Sequence, residues 1–349
     1  GIAQAFLAGL EATTSGKLVA IGTRNPDKPG LSETFHGARI VAGYQALLDD
    51  KEIDAVYIAT PHPGHAEWAI KAAEAGKHAL IEKPMGLSAF EAQAMFDAAK
   101  KAGTFMGEAF MYRLHPATAK LLELIRGGAI GEVRLIKSSF GFAMPRVMPE
   151  HRLYANDLAG GGILDVGCYP VSMSRLIAGA VTGKPFLDPK RTQGAAYLGQ
   201  TGTDEWASAV LEFDNGIIAE VSCSVSLQQD NVLRIFGTTG RIEGPDFWFA
   251  GGDRSGGPGR IHIIRRDGTS ETVETGATPH LYSFEADGVA AAVAAGRQEF
   301  ASPGMSWADT LGNLRTLDKW RADAGLVYAI ETPARRPNTI RNEALRQSG

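Results

Sequence analysis

The sequence predicts an α/β chain of two domains. Residues 1–115 read as a doubly wound parallel sheet, and residues 116–349 as an open, mainly antiparallel sheet with helices on one face. Three observations predict it. The 349 residues exceed one ordinary domain, since roughly 150 residues per domain is usual. The first third alternates short β-like runs with helical stretches, the mark of βαβ units. After Pro116 the strands cluster, and Asp214-Asn215-Gly216 between two of them is a strong hairpin signal.

In order, Gly1 to Phe6 is already helical in pattern, and Lys17–Gly22 is the first strand. A doubly wound sheet needs a strand before its first helix, and this chain shows none. Tyr44–Asp50 reads as a helix and Ile53–Ala59 as a buried strand. His65–Ala75 is helical with Gly76 as C-cap. Lys77–Ile81 is a strand. Ser88 opens a helix to Lys101 as N-cap, with Glu91 three residues on completing a capping box. Thr104–Gly107 is the next strand. Beyond Pro116 come a helix at Ala117–Arg126, a strand at Glu132–Phe140 and a helix at Ile163–Ala178. Strands follow at Trp206–Asp214, Gly216–Leu227 and Val232–Phe236. Gly251–Gly259 reads as a flexible loop between two hairpin strands. Helices at Tyr282–Ala295 and Trp307–Ala324 close the domain, and the Arg-rich tail from Pro333 reads as a surface arm.

Composition narrows the function. Apolar residues make 44% and charged residues 21%, which excludes disorder as the main state. The 35 basic and 39 acidic residues leave a net charge of −4, so coating nucleic acid is not expected. No apolar run reaches the roughly 18 residues of a membrane span. Two cysteines exclude a disulfide framework, and two free thiols in a reducing, cytoplasmic compartment are expected.

Four stretches carry chemistry. Gly1-Ile2-Ala3 fits the end of a G-x-G-x-x-A dinucleotide turn, and about 20 residues further on such a fold reads the ribose. There the strand ends Thr23-Arg24; Arg24 suits a 2′-phosphate, or is simply a solvated residue. Glu82-Lys83-Pro84 follows a buried strand at the carboxyl edge, where ligands bind. Partial burial is expected to lower the Lys83 pKa; the alternative is a surface pair with Glu82. Gly160-Gly161-Gly162 precedes Asp165 and Tyr169, four apart and so expected on one helix face. Tyr169 beside a Lys cation would have a lowered pKa and exchange a proton, or else belong to the core. Thr60-Pro61-His62-Pro63-Gly64-His65 also follows a strand. No metal site is expected from its two histidines, and His65 is expected near a cofactor or capping the next helix. Arg113 and His115, at the domain crossing, either face the cleft or join structural contacts.

Together these residues resemble the glucose-fructose oxidoreductase / inositol dehydrogenase family, Gfo/Idh/MocA. The resemblance rests on Thr23-Arg24, Thr60-Pro61 with His65, Glu82-Lys83-Pro84, and Gly160-Gly161-Gly162 with Asp165 and Tyr169. Trp307, Asp309, Asn313 and Asp318 resemble the family's closing helix. It implies an N-terminal Rossmann domain that binds NADP, with NAD as the alternative, through Gly1, Ile2, Thr23, Arg24, Thr60, Pro61, His65, Glu82 and Lys83. It implies Lys83, Tyr169 and Asp165 as catalytic residues, and Arg113, Arg152 and Asp165 as substrate contacts. Tyr169, where inositol dehydrogenase-like members carry His, places the chain nearer the dihydrodiol and xylose dehydrogenase branch. The expected activity is hydride transfer between nicotinamide and a sugar or polyol. The alternatives are a dihydrodiol or other non-sugar dehydrogenase, or a non-catalytic dinucleotide sensor. A homodimer or homotetramer through the open sheet is also implied. The missing first strand and leading glycines are expected to lie upstream, together with any export signal.

Overall fold

The computed structural model describes residues 1–250, 254–276, 278–331, 339–340 and 343–344. The N-terminal part runs α1 (Ile2–Glu11), β1 (Ala20–Thr23), α2 (Leu31–Thr34), β2 (Arg39–Ala42), α3 (Gln45–Asp49) and β3 (Ala55–Ile58). It continues with α4 (His65–Glu74), β4 (His78–Glu82), α5 (Ala89–Ala102) and β5 (Met106–Ala109). Every strand pairing here is parallel. The strands form two sheets, β1–β2 and β3–β4–β5. A doubly wound sheet has the order 3-2-1-4-5-6. β2 and β1 fill positions three and two, and β3, β4 and β5 fill four to six. Among the described residues no strand takes position one, and the two sheets lie on either side of it.

Local chemistry sets the ends. The Ser88 hydroxyl accepts the Glu91 N–H at 3.4 Å, and the Glu91 carboxylate accepts the Leu87 N–H at 2.8 Å. The cap therefore reaches one residue further back than a simple capping box.

The C-terminal part begins with α6 (Met111–Leu114), α7 (Pro116–Arg126) and β6 (Val133–Gly141). A single π-helical turn, Ile163–Gly167, leads into α8 (Cys168–Val181). Strands β7 (Arg191–Leu198), β8 (Asp204–Glu212), β9 (Ile218–Ser224), β10 (Val232–Gly237), β11 (Gly240–Pro245), β12 (Arg260–Arg265) and β13 (Ser270–Glu274) follow, then α9 (Ser283–Ala294) and α10 (Trp307–Asp323). The eight-stranded sheet has the order β13-β12-β11-β10-β6-β9-β8-β7. Only β6 and β9 pair in parallel. Gly216, at φ +81°, makes the expected tight turn between β8 and β9. β11 and β12 flank the glycine loop as antiparallel neighbours, while Gly251–Asp253 lie outside the described residues. Of the tail from Pro333, Thr339–Ile340 pairs with Glu343–Ala344 and the rest lies outside them.

Three of the numbered strands escape the sequence reading; one, β13, is exposed along nearly its whole length. β2 has four residues and only three are apolar. β7 is an edge strand whose buried positions include Thr192, so no apolar alternation announces it. The uncovered sheet face is mixed in character. Tyr197 stacks on Trp206 at 4.0 Å near the β7 edge, and Val210 and Ile218 are exposed. Between them lie Ser208, Ser222 and a Lys137–Glu220 ion pair at 2.9 Å. The face is apolar at its margin and polar toward its middle.

One hydrophobic cluster runs through both parts of the chain. α10 joins them: Trp307 stacks on Phe96 of α5 at 5.1 Å and donates its indole N–H to the Met106 carbonyl at 2.8 Å.

Candidate active site

Helices that connect parallel strands run antiparallel to them. The N-terminus of α1, Arg24 after β1, Thr60 after β3 and Lys83 after β4 therefore share the carboxyl edge of the sheets. Gly1 is exposed, and nothing lies within 4 Å of where its Cβ would be. The Thr23 hydroxyl accepts the Asn25 N–H at 3.2 Å, which turns Arg24 out into solvent. Ile2, Thr60 and Pro61 are half-buried along the same edge.

Lys83 is where the two parts of the chain meet. Its ammonium donates to the Asp165 backbone carbonyl at 2.6 Å and lies 3.4 Å from Asp165 Oδ1. The Arg152 guanidinium donates to the same oxygen at 3.0 Å and remains about half exposed. Burial alone would push the Asp165 carboxyl up, but Lys83 and Arg152 hold it well below the usual range. Burial pulls the Lys83 ammonium down, and Asp165 with Glu82 more than reverses this, so its pKa is raised. The sequence expectation of a lowered Lys83 pKa is therefore corrected: burial came with a counter-ion. Glu82 is itself tied, accepting the Tyr57 hydroxyl on one oxygen and the Lys83 N–H on the other at 3.2 Å.

His65 lies beneath this edge. Its ring nitrogens contact the carbonyls of Pro84 and Thr60, each at 2.9 Å, so it binds the β3 and β4 loops together from within. His62 is the member that sequence reasoning passed over. Its Nδ1–H donates to the Ala159 carbonyl at 3.1 Å, just before the glycines, and so bridges the two parts. Burial, with His65 adding to it, pushes its pKa down to about 3, and Asp165 opposes. Among the described residues no cluster suited to a metal ion occurs.

Tyr169 lies beside Lys83, as Asp165 does, but its ring is enclosed in an aromatic cluster. Its ring meets Phe140 at 5.0 Å, Phe110 at 5.1 Å and Trp248 at 5.7 Å. Lys83 Nζ lies 5.3 Å from the ring centroid, and the hydroxyl contacts Met111 Sδ at 3.4 Å. Burial raises the phenol well above its ordinary pKa, the opposite of the expected lowering. Arg113 is also corrected. It is fully buried, donating to Pro303, Ser172 and Asp309, each at 2.6 Å, and so is sealed away from any cleft. His115 caps α7, its Nδ1 accepting the Ala117 N–H at 3.0 Å.

The glycine triplet does permit close approach, but to the protein itself. Gly161 has φ +113°, and a Cβ there would lie 2.0 Å from Asp204 Oδ1. The other Asp204 oxygen accepts the Ile163 N–H at 2.6 Å, at the start of the turn that carries Asp165. No motif marked Asp204, which simply opens β8.

This site joins a dinucleotide-type sheet edge to a lysine–carboxylate pair that bridges the two parts of the chain. The comparisons are more specific. Residues 1–110 match the model described as oxidoreductase family, NAD-binding Rossmann fold, and residues 118–243 match the GFO/IDH/MocA C-terminal domain. The chain is 40% identical over 201 residues to D-xylose 1-dehydrogenase (NADP(+)) 2 of Haloferax volcanii, covering 57% of this chain and 59% of that protein. It is 30% identical over 306 residues to trans-1,2-dihydrobenzene-1,2-diol dehydrogenase of Danio rerio, covering 84% of each. A 3-ketoreductase of Actinomadura kijaniata, solved with NADP and TDP-benzene, superposes with a TM-score of 0.80 at 28% identity, covering 91% of this chain and 93% of that one. The matched regions span 59% of the xylose dehydrogenase and 64% of an uncharacterized oxidoreductase of Rhizobium meliloti, less than two thirds of either. The chain belongs to the Gfo/Idh/MocA family of NAD-binding oxidoreductases. No helix among the described residues is long and apolar enough to cross a membrane.

Gly161→Ala combines a left-handed backbone with a clash on Asp204. Strain alone costs about 1–3 kcal/mol. The urea midpoint should fall with an unchanged slope; an unmoved midpoint contradicts the packing described.

Proposed function

We propose that this chain is an NADP-dependent oxidoreductase that acts on a sugar or polyol. Residues 1–115 hold the dinucleotide, and residues 116–349 supply the substrate side and the contact between copies. The observation that carries the reading is the Lys83–Asp165 contact at 2.6 and 3.4 Å, made by the two parts at the sheet edge. The residues present fit a dinucleotide. The N-terminus of α1 offers unpaired N–H groups to phosphate, and Arg24 is a cation without a partner among the described residues. When bound, the nicotinamide supplies the hydride chemistry.

The chain's own residues orient and hold protons. With two of its donors directed at Asp165, Lys83 keeps a third N–H for a substrate oxygen. Asp165 and half-exposed Arg152 offer acceptor and donor to neighbouring hydroxyls. A phenol held protonated by burial is a proton donor, the role we give Tyr169 in carbonyl reduction. Charged groups converging on one spot favour a polyhydroxylated substrate over an aromatic one. A non-sugar reading has one observation behind it: Phe142, Met144 and Val147 pack partly buried against the cluster of Leu153, Tyr154 and Val225, whose Leu153 follows Arg152 in sequence. A screen of NADP+ reduction across sugars, polyols and dihydrodiols decides. Turnover confined to dihydrodiols, or none anywhere, overturns the sugar reading.

Three outcomes are expected. NADP should be preferred over NAD by roughly 10- to 150-fold, the worth of a charge-assisted hydrogen bond, and Arg24→Ala should erase the preference. Equal kcat/KM for both cofactors contradicts it. Tyr169→Phe should lower kcat by about 10²–10⁴-fold with folding and NADP affinity kept, and Lys83→Ala at least as much. If Tyr169→Phe keeps more than half of native turnover with chemistry rate-limiting, the proton passes through Lys83 instead. Third, the uncovered sheet face should pair with a second copy. Light scattering at micromolar concentration should report a dimer or tetramer, and Trp206→Glu should shift it toward monomer; a wild-type protein found only as monomer sinks this.

A further inference from the structure

Whether Lys83 meets Asp165 depends on how residues 83–88 are held. His65 takes the Pro84 carbonyl at 2.9 Å, Glu91 the Leu87 N–H at 2.8 Å, and Arg321 the Leu87 carbonyl at 3.0 Å. The remaining anchor is Glu108 at the end of β5, 2% exposed. One oxygen accepts the Met85 N–H at 2.8 Å, and the other accepts the Thr310 hydroxyl at 2.7 Å. Thr310 lies on α10 next to Asp309, which takes Arg113 and Arg175 at 2.6 Å each. Glu108 thus links the lysine turn directly to the buried ion network of the other part.

We propose that Glu108 is a positioning residue for Lys83, its carboxylate fixing the 83–85 turn against α10 through Met85 and Thr310. The proposal rests on Lys83 being the active-site lysine. A carboxylate grips an N–H about twice as strongly as a neutral acid does. The hold is therefore firmest when Glu108 is ionised. Burial pushes its pKa up to about 7, Asp309 adds to this, and Thr310, Met85 and Arg113 oppose it. The titratable and charged groups facing it are Asp309 on α10, Arg113 on α6 and Cys168 on α8. Arg113 stays charged, and burial keeps Cys168 protonated. Glu108 is pushed into the neutral range, and kcat should rise with pH through it.

Glu108→Gln keeps the shape and fixes the neutral state, its amide oxygen accepting the Met85 N–H while its amide nitrogen donates to the Thr310 hydroxyl. Its kcat should be about five- to tenfold below wild type at high pH, with KM for NADP unchanged and the rise near neutrality gone. Infrared difference spectra between pH 6 and 8.5, taken without cofactor, should lose a protonated-carboxyl band in this variant. Thr310→Val removes one bond that favours the ionised form. It should move the rise up by about one to two pH units, and it serves equally where Glu108→Gln does not fold. An unaltered pH profile in Glu108→Gln, or an unmoved one in Thr310→Val, overturns the proposal. Absence of turnover in the wild type would instead overturn the functional reading, and the infrared titration would still judge Glu108.

Discussion

The contact between Lys83 and Asp165 is the constraint around which this molecule is arranged. Two charges taken out of water cost more than their attraction returns unless every remaining donor and acceptor is met. Here the pair is supported from several directions. Asp165 takes Lys83 and Arg152 on one oxygen, and its own carbonyl accepts a further lysine proton. Glu82, on the lysine's other side, is fixed by Tyr57. Each partner belongs to a different part of the chain, so neither part can shift without exposing a buried charge.

A second ionic centre lies behind the first. Asp309 sits between Arg113 and Arg175, all three buried, with Asp188 completing the set on Arg175. This centre clamps α6, α8 and α10 together. α10 contributes twice: Asp309 and Thr310 reach the ionic groups, while Trp307 packs into the N-terminal part. Removing one member of such a network strands a charge, which costs far more than a surface pair would.

Much of this was legible in the residues. The strand alternation placed the parallel sheet, the Asn-Gly turn placed the β8–β9 hairpin, and Glu82-Lys83-Pro84 with Asp165 marked the meeting of the two parts. What was not legible has separate causes. Spacing placed Asp165 and Tyr169 on one face, and both lie against Lys83, but it could not show that Phe110, Phe140 and Trp248 enclose the Tyr169 ring and raise its phenol. Arg113 read equally well as a cleft residue or an ion-pair member, because its partner Asp309 lies nearly 200 positions away. Glu108 and Asp204 carried no motif, since each works by accepting a backbone N–H and no pattern of side chains records that.

Those two carboxyls define the last level of organisation. Glu108 accepts the N–H of Met85, two residues beyond Lys83, and Asp204 accepts the N–H of Ile163, two residues before Asp165. Burial pushes both up to about 7, although hydrogen bonds oppose it in each. An acid whose folded pKa lies above its unfolded value keeps a proton that the unfolded chain has already lost. Between the ordinary carboxylate range and neutrality the folded state therefore binds more protons, and stability falls as pH rises. The two residues that hold the charged pair in register are thus themselves costly to ionise. The glycine triplet belongs to the same logic: Gly161 leaves room for Asp204, not for a ligand. The site is preorganised by groups that never touch its charges, and their protonation ties local geometry to pH.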